Sequence, residues 1–448
     1  MANTTAATRA SAELFGHPRA LTFLFATEMW ERFSYYGMRS LLMLYMVKFL
    51  LLPAQAGNVA GLATLKSALE AVFGPLALQP LASQIYGLYT GLVYLTPIFG
   101  GLLADRMLGQ RRTVILGAAL MAVGHFLMAF EHLFLLALTV LIAGNGCFKS
   151  NISTQVSLLY PPGDRRRDRA FSIFYVGINL GAFLAPLICG TLGEEFGWHY
   201  GFAAAGVGMT TGLVIYFAST PLLPKDALAA RISRTPLQRR DWQAIGAILI
   251  LMLPVSLFWG TYEQQGNTIV LWASDFTDRQ IPGGLEIPVT WFQAFNPLMI
   301  FAFTPFVVAF WRWQGVRESS TVAKLAIGLL LNAASWIVLF AAARVTGGGK
   351  ASWLWLFAYF VVLTVGELYL SPTSLSWVTK IAPASLLSMM MGVWLSTSFI
   401  GGFLAGYFGS FWTGMSKDNF FLMMAAIAAA AGLMIVAVSR PLRAIVRD

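Results

Sequence analysis

Apolar residues come in runs of twenty or more along almost the whole chain, separated by short polar or glycine-bearing breaks. Twelve runs can be read, at about 21–52, 80–104, 112–131, 133–160, 169–193, 199–222, 243–272, 290–313, 321–344, 351–382, 385–415 and 419–439. A helix needs about 20 apolar residues to cross a bilayer, whereas a membrane strand needs about 9–11 and alternates. In lipid the backbone must satisfy its own hydrogen bonds, so the runs predict twelve transmembrane helices in an all-α membrane protein. Runs longer than the bilayer predict tilt or kinks, with Pro53, Pro186, Pro254, Pro305 and Pro372 as the kink positions. Two longer outward loops, Leu52 to Gln79 and Ala273 to Pro288, carry no metal or nucleophile motif.

The runs divide six and six. The divider is a short basic stretch, 224–241, containing Lys225, Arg231, Arg234, Arg239 and Arg240. It separates an N-terminal six-helix bundle (1–223) from a C-terminal one (242–448). Two such halves on a basic linker resemble the major facilitator superfamily, in which the site lies near the midplane between halves.

Composition agrees with a membrane solvent: 57% of the 448 residues are hydrophobic and 11% charged, with a mean hydropathy of +0.68. A soluble domain is nearer a quarter charged. The net charge of +10 could suggest nucleic acid. Lys and Arg instead concentrate in the loops on the side of both termini, which is the positive-inside pattern. The basicity therefore orients the chain, with both termini cytoplasmic, and calls for no nucleic-acid partner. The two cysteines, Cys147 and Cys189, lie in apolar runs and form no disulfide framework. The start has no apolar core followed by a cleavage site, so the first helix is expected to act as the insertion signal. His17, His125, His132 and His199 each lie at a terminus, in an apolar run or at a loop edge and are read as isolated from acids and cysteines, so no metal site is expected.

Seven ionisable residues interrupt the apolar runs: Glu28, Glu31, Glu263, Glu367, Arg32, Arg39 and Lys149. Each costs about 2.5–3.5 kcal/mol to insert, so they mark a polar path and not a lipid-facing wall. In the first helix Glu28 and Glu31 are three apart, Glu28 and Arg32 four apart, and Tyr35, Tyr36 and Arg39 follow Arg32 by three, four and seven. These spacings place them on one helical face. Two carboxylates so close to each other and to an arginine titrate as a unit. A substrate carboxylate that drew Arg32 away would raise their proton affinity, which is a physical route to coupling. The opposing interpretation, a self-neutralised cluster that only holds the fold, uses the same residues. After the second helix, Gly100 to Arg112 forms a basic loop in which Asp105 and Arg106 could lock or release neighbouring helices.

The stretch from Glu28 to Arg32 resembles the E-x-x-E-R signature of the proton-dependent oligopeptide transporter family. Further segments agree, in order: Tyr86 to Gly101, with Tyr94-Leu95-Thr96-Pro97; Gly144 to Ser153, around Lys149; Phe174 to Gly181, around Asn179; Tyr262 to Gly266; Asn296-Pro297; Gly366 to Pro372; and Met391 to Trp394. The resemblance spans essentially the whole chain. It departs at Cys147-Phe148, at Ser150 where the family often has proline, and at Gly87 where animal members carry a histidine. The linker is too short for the two extra helices of many bacterial members.

The resemblance implies a multi-pass, proton-coupled symporter that imports di- and tripeptides by alternating access. It implies a monomer in the lipid bilayer of a bacterial cytoplasmic (inner) membrane, with protons as coupling ion and no cofactor or enzymatic activity. A peptide is a zwitterion with variable side chains, so a broad site should clamp its ends. Arg32 and Lys149 can bind a carboxylate, the first bidentately and the second as a point charge. Glu367 can bind an ammonium, and the resemblance adds Asn179 and Asn296 at the ends. Tyr35, Tyr36, Tyr94, Ser371 and Trp394 would line the middle, although each aromatic could equally be ordinary packing. Glu28, Glu31 and Arg32 would couple protons. Arg39 with Glu263, and Lys149 with Glu367, would pair across the halves as outer and inner gates. The alternative is a proton-coupled relative carrying another substrate, an anion or drug-like compound.

Overall fold

The computed structural model describes residues 13–14, 16–161, 164–224, 226, 238–383 and 386–445, without the side chains of 387, 388 and 440–445. Twelve long helical elements follow one another: α1 (Arg19–Tyr45), α2 (Leu78–Leu108), α3 (Gln110–Leu127), α4 (Glu131–Leu158), α5 (Arg166–Phe196), α6 (Trp198–Leu222), α7 (Arg239–Asp275), α8 (Val289–Arg317), α9 (Thr321–Thr346), α10 (Trp353–Ile381), α11 (Leu387–Gly409) and α12 (Lys417–Ile445). Ten of them contain stretches long and apolar enough to cross a membrane. The other two are α1 and α3. The first carries Glu28, Glu31, Arg32 and Arg39, and the second is a short helix that spends its first turn on Arg111 and Arg112.

Four of the five prolines lie within helical elements. Pro254, Pro305 and Pro372 lie inside α7, α8 and α10. Pro186 opens a wide π-turn in α5, where its missing N–H leaves a carbonyl without its usual partner. Pro53 does not kink α1. It begins a separate short helix, Pro53–Ala56, where a missing N–H costs nothing.

The two longer loops hold structure too short to be read from periodicity. A helix, Leu62–Phe73, precedes α2. After α7, Gln280–Ile281 pairs antiparallel with Leu285–Glu286 around Gly283 and Gly284, whose φ values of 103° and 80° suit glycine. Thr277–Asp278 runs parallel to Ala351–Ser352. Strands of two residues leave the all-α class unchanged.

The chain forms two compact units, one of residues 1–42, 53–62 and 95–230, the other of 43–52, 63–94 and 231–448. Within the first, Arg111 fastens the start of α3 to the end of α6. Its guanidinium donates to the carbonyls of Leu223 and, at 2.8 Å, Pro224. Asp105 and Arg106, expected to lock this region, are both exposed. Lys225, Arg231 and Arg234 of the basic linker lie outside the described residues. Arg239 and Arg240 open α7 itself, behind a capping box in which Gln238 N–H donates to Asp241 at 2.8 Å. Within the second unit, α2 crosses α11 at glycines. A Cβ on Gly87 would sit 2.6 Å from the Gly406 Cα, so no side chain fits there.

Candidate functional site

In the first unit the polar stripe of α1 is buried as one cluster. Arg32 Nε lies 3.0 Å from Glu28 Oε1 and 2.5 Å from Glu31 Oε2. Asn145, on α4, donates to Glu31 Oε1 at 3.3 Å. Lys149, one turn further along α4 and half-buried, acts electrostatically on both glutamates. With all four charged, two anions meet two cations and the cluster is neutral, which is how such charges survive in a low-dielectric interior. Glu31 is fully buried and Glu28 and Arg32 nearly so.

The cluster keeps capacity in reserve. Arg32 meets both glutamates through Nε, and Nη2 has no hydrogen-bond partner among the described residues. A guanidinium edge with an unused donor is suited to a further carboxylate. α1 can come this close to α5 because residue 181 is glycine. A Cβ there would sit 2.9 Å from Phe33 N and 3.0 Å from Arg32 Cβ.

The tyrosines continue the stripe. Tyr35 and Tyr36 stand edge to face at 5.1 Å, Arg32 lies over the Tyr35 ring at 5.4 Å, and Arg39 over the Tyr36 ring at 5.8 Å. Such contacts hold a cation within a few ångströms of an aromatic face. Asn179, on α5, is buried and donates to the Tyr175 carbonyl at 3.0 Å.

The second unit holds a separate acidic cluster. Asn296, on α8, donates to Glu367 Oε2 at 2.8 Å and to Thr364 Oγ1 at 3.1 Å, both on α10. The Tyr262 hydroxyl, on α7, donates to Asn296 Oδ1 at 3.2 Å and also engages Glu367. Glu263 is buried and close enough for its charge to act on Glu367. Ser371 lies one turn beyond Glu367 and is half-buried. Tyr94 on α2 is half-buried, and Trp394 on α11 packs against Trp377 with ring centroids 6.3 Å apart. No cation joins Glu367 within this unit in the ion pairs of the described residues.

Each unit thus gathers its own expected residues: Glu28, Glu31, Arg32, Tyr35, Tyr36, Arg39, Lys149 and Asn179 in one, and Tyr94, Glu263, Asn296, Glu367, Ser371 and Trp394 in the other. Three partners were not singled out as site residues. Asn145 precedes Lys149 by four and so shares its face, a spacing that could have flagged it. Tyr262 adjoins Glu263, and Thr364 precedes Glu367 by three. One expectation is corrected: His199 is not isolated from acids, since its Nε2 lies 3.8 Å from Glu131. That contact joins the starts of α4 and α6, which are distant in sequence. Among the described residues, no group of three or more His, Cys, Asp or Glu could hold a metal.

The sequence pattern of the POT family matches residues 111–239 and 225–423. Peptide transporter YePEPT of Yersinia enterocolitica is 34% identical, with 88% of each chain covered. The di-/tripeptide transporter of Lactococcus lactis subsp. cremoris is 31% identical, with 97% of each covered. Among solved structures, a peptide transporter of the POT type in complex with sulfate superposes with a TM-score of 0.85 at 29% identity, covering 97% of both chains. A POT family transporter in complex with 5-aminolevulinic acid gives 0.84 at 27%, covering 96% of this chain and 98% of that one.

Proposed function

The chain belongs to the POT family, and on that premise we propose that it is a proton-coupled symporter importing di- and tripeptides by alternating access of two six-helix halves, 1–223 and 242–448, joined by 224–241. The observation that carries this is the buried Glu28–Glu31–Arg32 cluster with an unused Arg32 donor. An arriving peptide carboxylate engages Arg32 and Lys149. Three carboxylates then share two cations, so a glutamate takes up a proton. The peptide ammonium is met by Glu367, held by Asn296, with Asn179 as a further polar partner. Tyr35, Tyr36, Tyr94, Ser371 and Trp394 surround the side chains, where aromatic walls with hydroxyls accept varied groups.

Arg39 with Glu263 closes the outer side and Lys149 with Glu367 helps close the inner side. Protonating Glu263 releases Arg39. A neutral dipeptide carried with protons brings positive charge inward, and a membrane potential contributes about 2.3 kcal/mol per charge per 100 mV. The protein works as a monomer in a bacterial cytoplasmic membrane with both termini inside, and it uses no cofactor beyond the coupling proton.

The test is uptake of labelled dialanine into liposomes with and without an inward-directed proton gradient. Accumulation should require the gradient and be competed by unlabelled di- and tripeptides. The bound 5-aminolevulinic acid of a solved relative favours one other cargo, a small amino-carboxylate. Competition by such compounds and none by dipeptides would replace the peptide reading with that one.

A further inference from the structure

Gln79, Ser83, Gln264 and Asn267 take no part in the binding or coupling described above, yet none is more than 6% exposed and all four are joined. They meet at a break in α7. α-Helix ends at Tyr262, a tight 3₁₀ turn covers Glu263–Gly266, Asn267 adopts φ −111° and ψ −94°, and helix resumes at Thr268. A break at membrane depth must be held by something other than the helix's own ladder.

Here side chains hold it, within one compact unit. Gln264 Nε2 donates to the Ala405 carbonyl of α11 at 2.8 Å, and Asn267 Nδ2 donates to the same carbonyl at 3.1 Å. Thr268 Oγ1 donates to Gln264 Oε1 at 2.9 Å. Ser83, on α2, donates to Asn267 Oδ1 at 2.8 Å, and Gln79 Nε2 donates to Ser83 Oγ at 2.8 Å and to the Gly409 carbonyl at 3.0 Å. Asn267 is engaged at both ends of its amide, which fixes its orientation. The ladder is neutral throughout, so it can steer a neighbouring carboxylate without competing for the proton.

We infer that Asn267, seated by Ser83 and the Ala405 carbonyl, is a positioning residue that fixes the turn carrying Glu263 and so aims the carboxylate used in proton coupling. This rests on the coupling role given to Glu263 above. Glu263 opens the turn, the next residue is pinned to α11, and Asn267 closes it. With both sides pinned, the backbone at Glu263 has one arrangement. Removing the Asn267 amide leaves the Ser83 hydroxyl proton without its acceptor and lets the turn relax.

The test compares proton-driven uptake with counterflow exchange of dialanine in proteoliposomes for Asn267→Ala, Ser83→Ala and Glu263→Gln. The maximal proton-driven rate of Asn267→Ala should fall about tenfold, the worth of roughly one buried hydrogen bond, with the apparent KM for exchange within about twofold. Ser83→Ala, which removes only the supporting hydroxyl, should lose about threefold in the same way, and it decides the matter if Asn267→Ala does not fold. Coupled uptake lost in Glu263→Gln but kept in both ladder variants would overturn the inference alone. Exchange falling in step with coupled uptake in the ladder variants would reduce the ladder to a structural element. Uptake kept in Glu263→Gln as well would overturn both this inference and the coupling role beneath it.

Discussion

The side-chain amide of Asn296 donates to Oε2 of Glu367 at 2.8 Å, joining α8 to α10 and leaving the carboxylate half-buried. A charge-assisted bond of this kind is worth about 1.5–3 kcal/mol, and it orients an anion that meets no cation in its own unit's ion pairs. Glu367→Gln removes the charge offered to a peptide ammonium. The KM for dialanine should rise at least about tenfold, and that of Asn296→Ala by a smaller factor, about three to ten. Concentration-dependent uptake measures both.

Arg32→Lys keeps one positive charge and loses the fork. A lysine ammonium cannot hold Glu28 and Glu31 and still present a second planar donor edge, as the Nε and Nη2 positions do. Proton-driven uptake should fall more than about tenfold while the protein stays folded. Arg32→Ala should also lower the melting temperature in detergent, because breaking a buried ion cluster costs about 3–5 kcal/mol.

Arg39→Gln and Glu263→Gln each remove a charge and keep a polar side chain, and the second is also isosteric. If the two form the outer gate, both should depress uphill uptake more than exchange. Proton-driven uptake at the native rate in both variants would dismiss the gate.

Gly87→Ala tests the α2–α11 crossing. The added methyl would lie 2.6 Å from the Gly406 Cα and 2.8 Å from the Gly402 carbonyl oxygen, and backbone cannot step aside as a side chain can. Overpacking of this kind costs about 1–3 kcal/mol. A melting temperature several degrees below the native protein's is expected in detergent, and Gly87→His should be worse. A histidine proton relay at this position is closed to the chain on steric grounds.

Much of the architecture is legible in the amino-acid order. Twelve helices follow from apolar runs of bilayer length, since lipid leaves the backbone no other way to satisfy its hydrogen bonds. The stripe from Glu28 to Arg39 follows from spacings of three, four and seven, because a helix puts those positions on one face. The break in α7 was not legible. Glu263 to Asn267 is a polar stretch inside a run long enough to be one helix, polarity alone does not end a helix, and the partners that hold the break, Ser83 and the Ala405 carbonyl, are more than a hundred residues away in either direction.

The amino-acid order by itself determined the fold class, the family and which charged residues had to be sheltered, because insertion cost and helical periodicity are local properties. Only the tertiary structure decided how they are sheltered. Arg32 meets both glutamates through one nitrogen, Asn145 of α4 completes Glu31, and Tyr262 and Asn296 seat Glu367. Hydrogen-bond partners are chosen by proximity in space, and helices packed side by side bring together residues that no spacing along the chain relates.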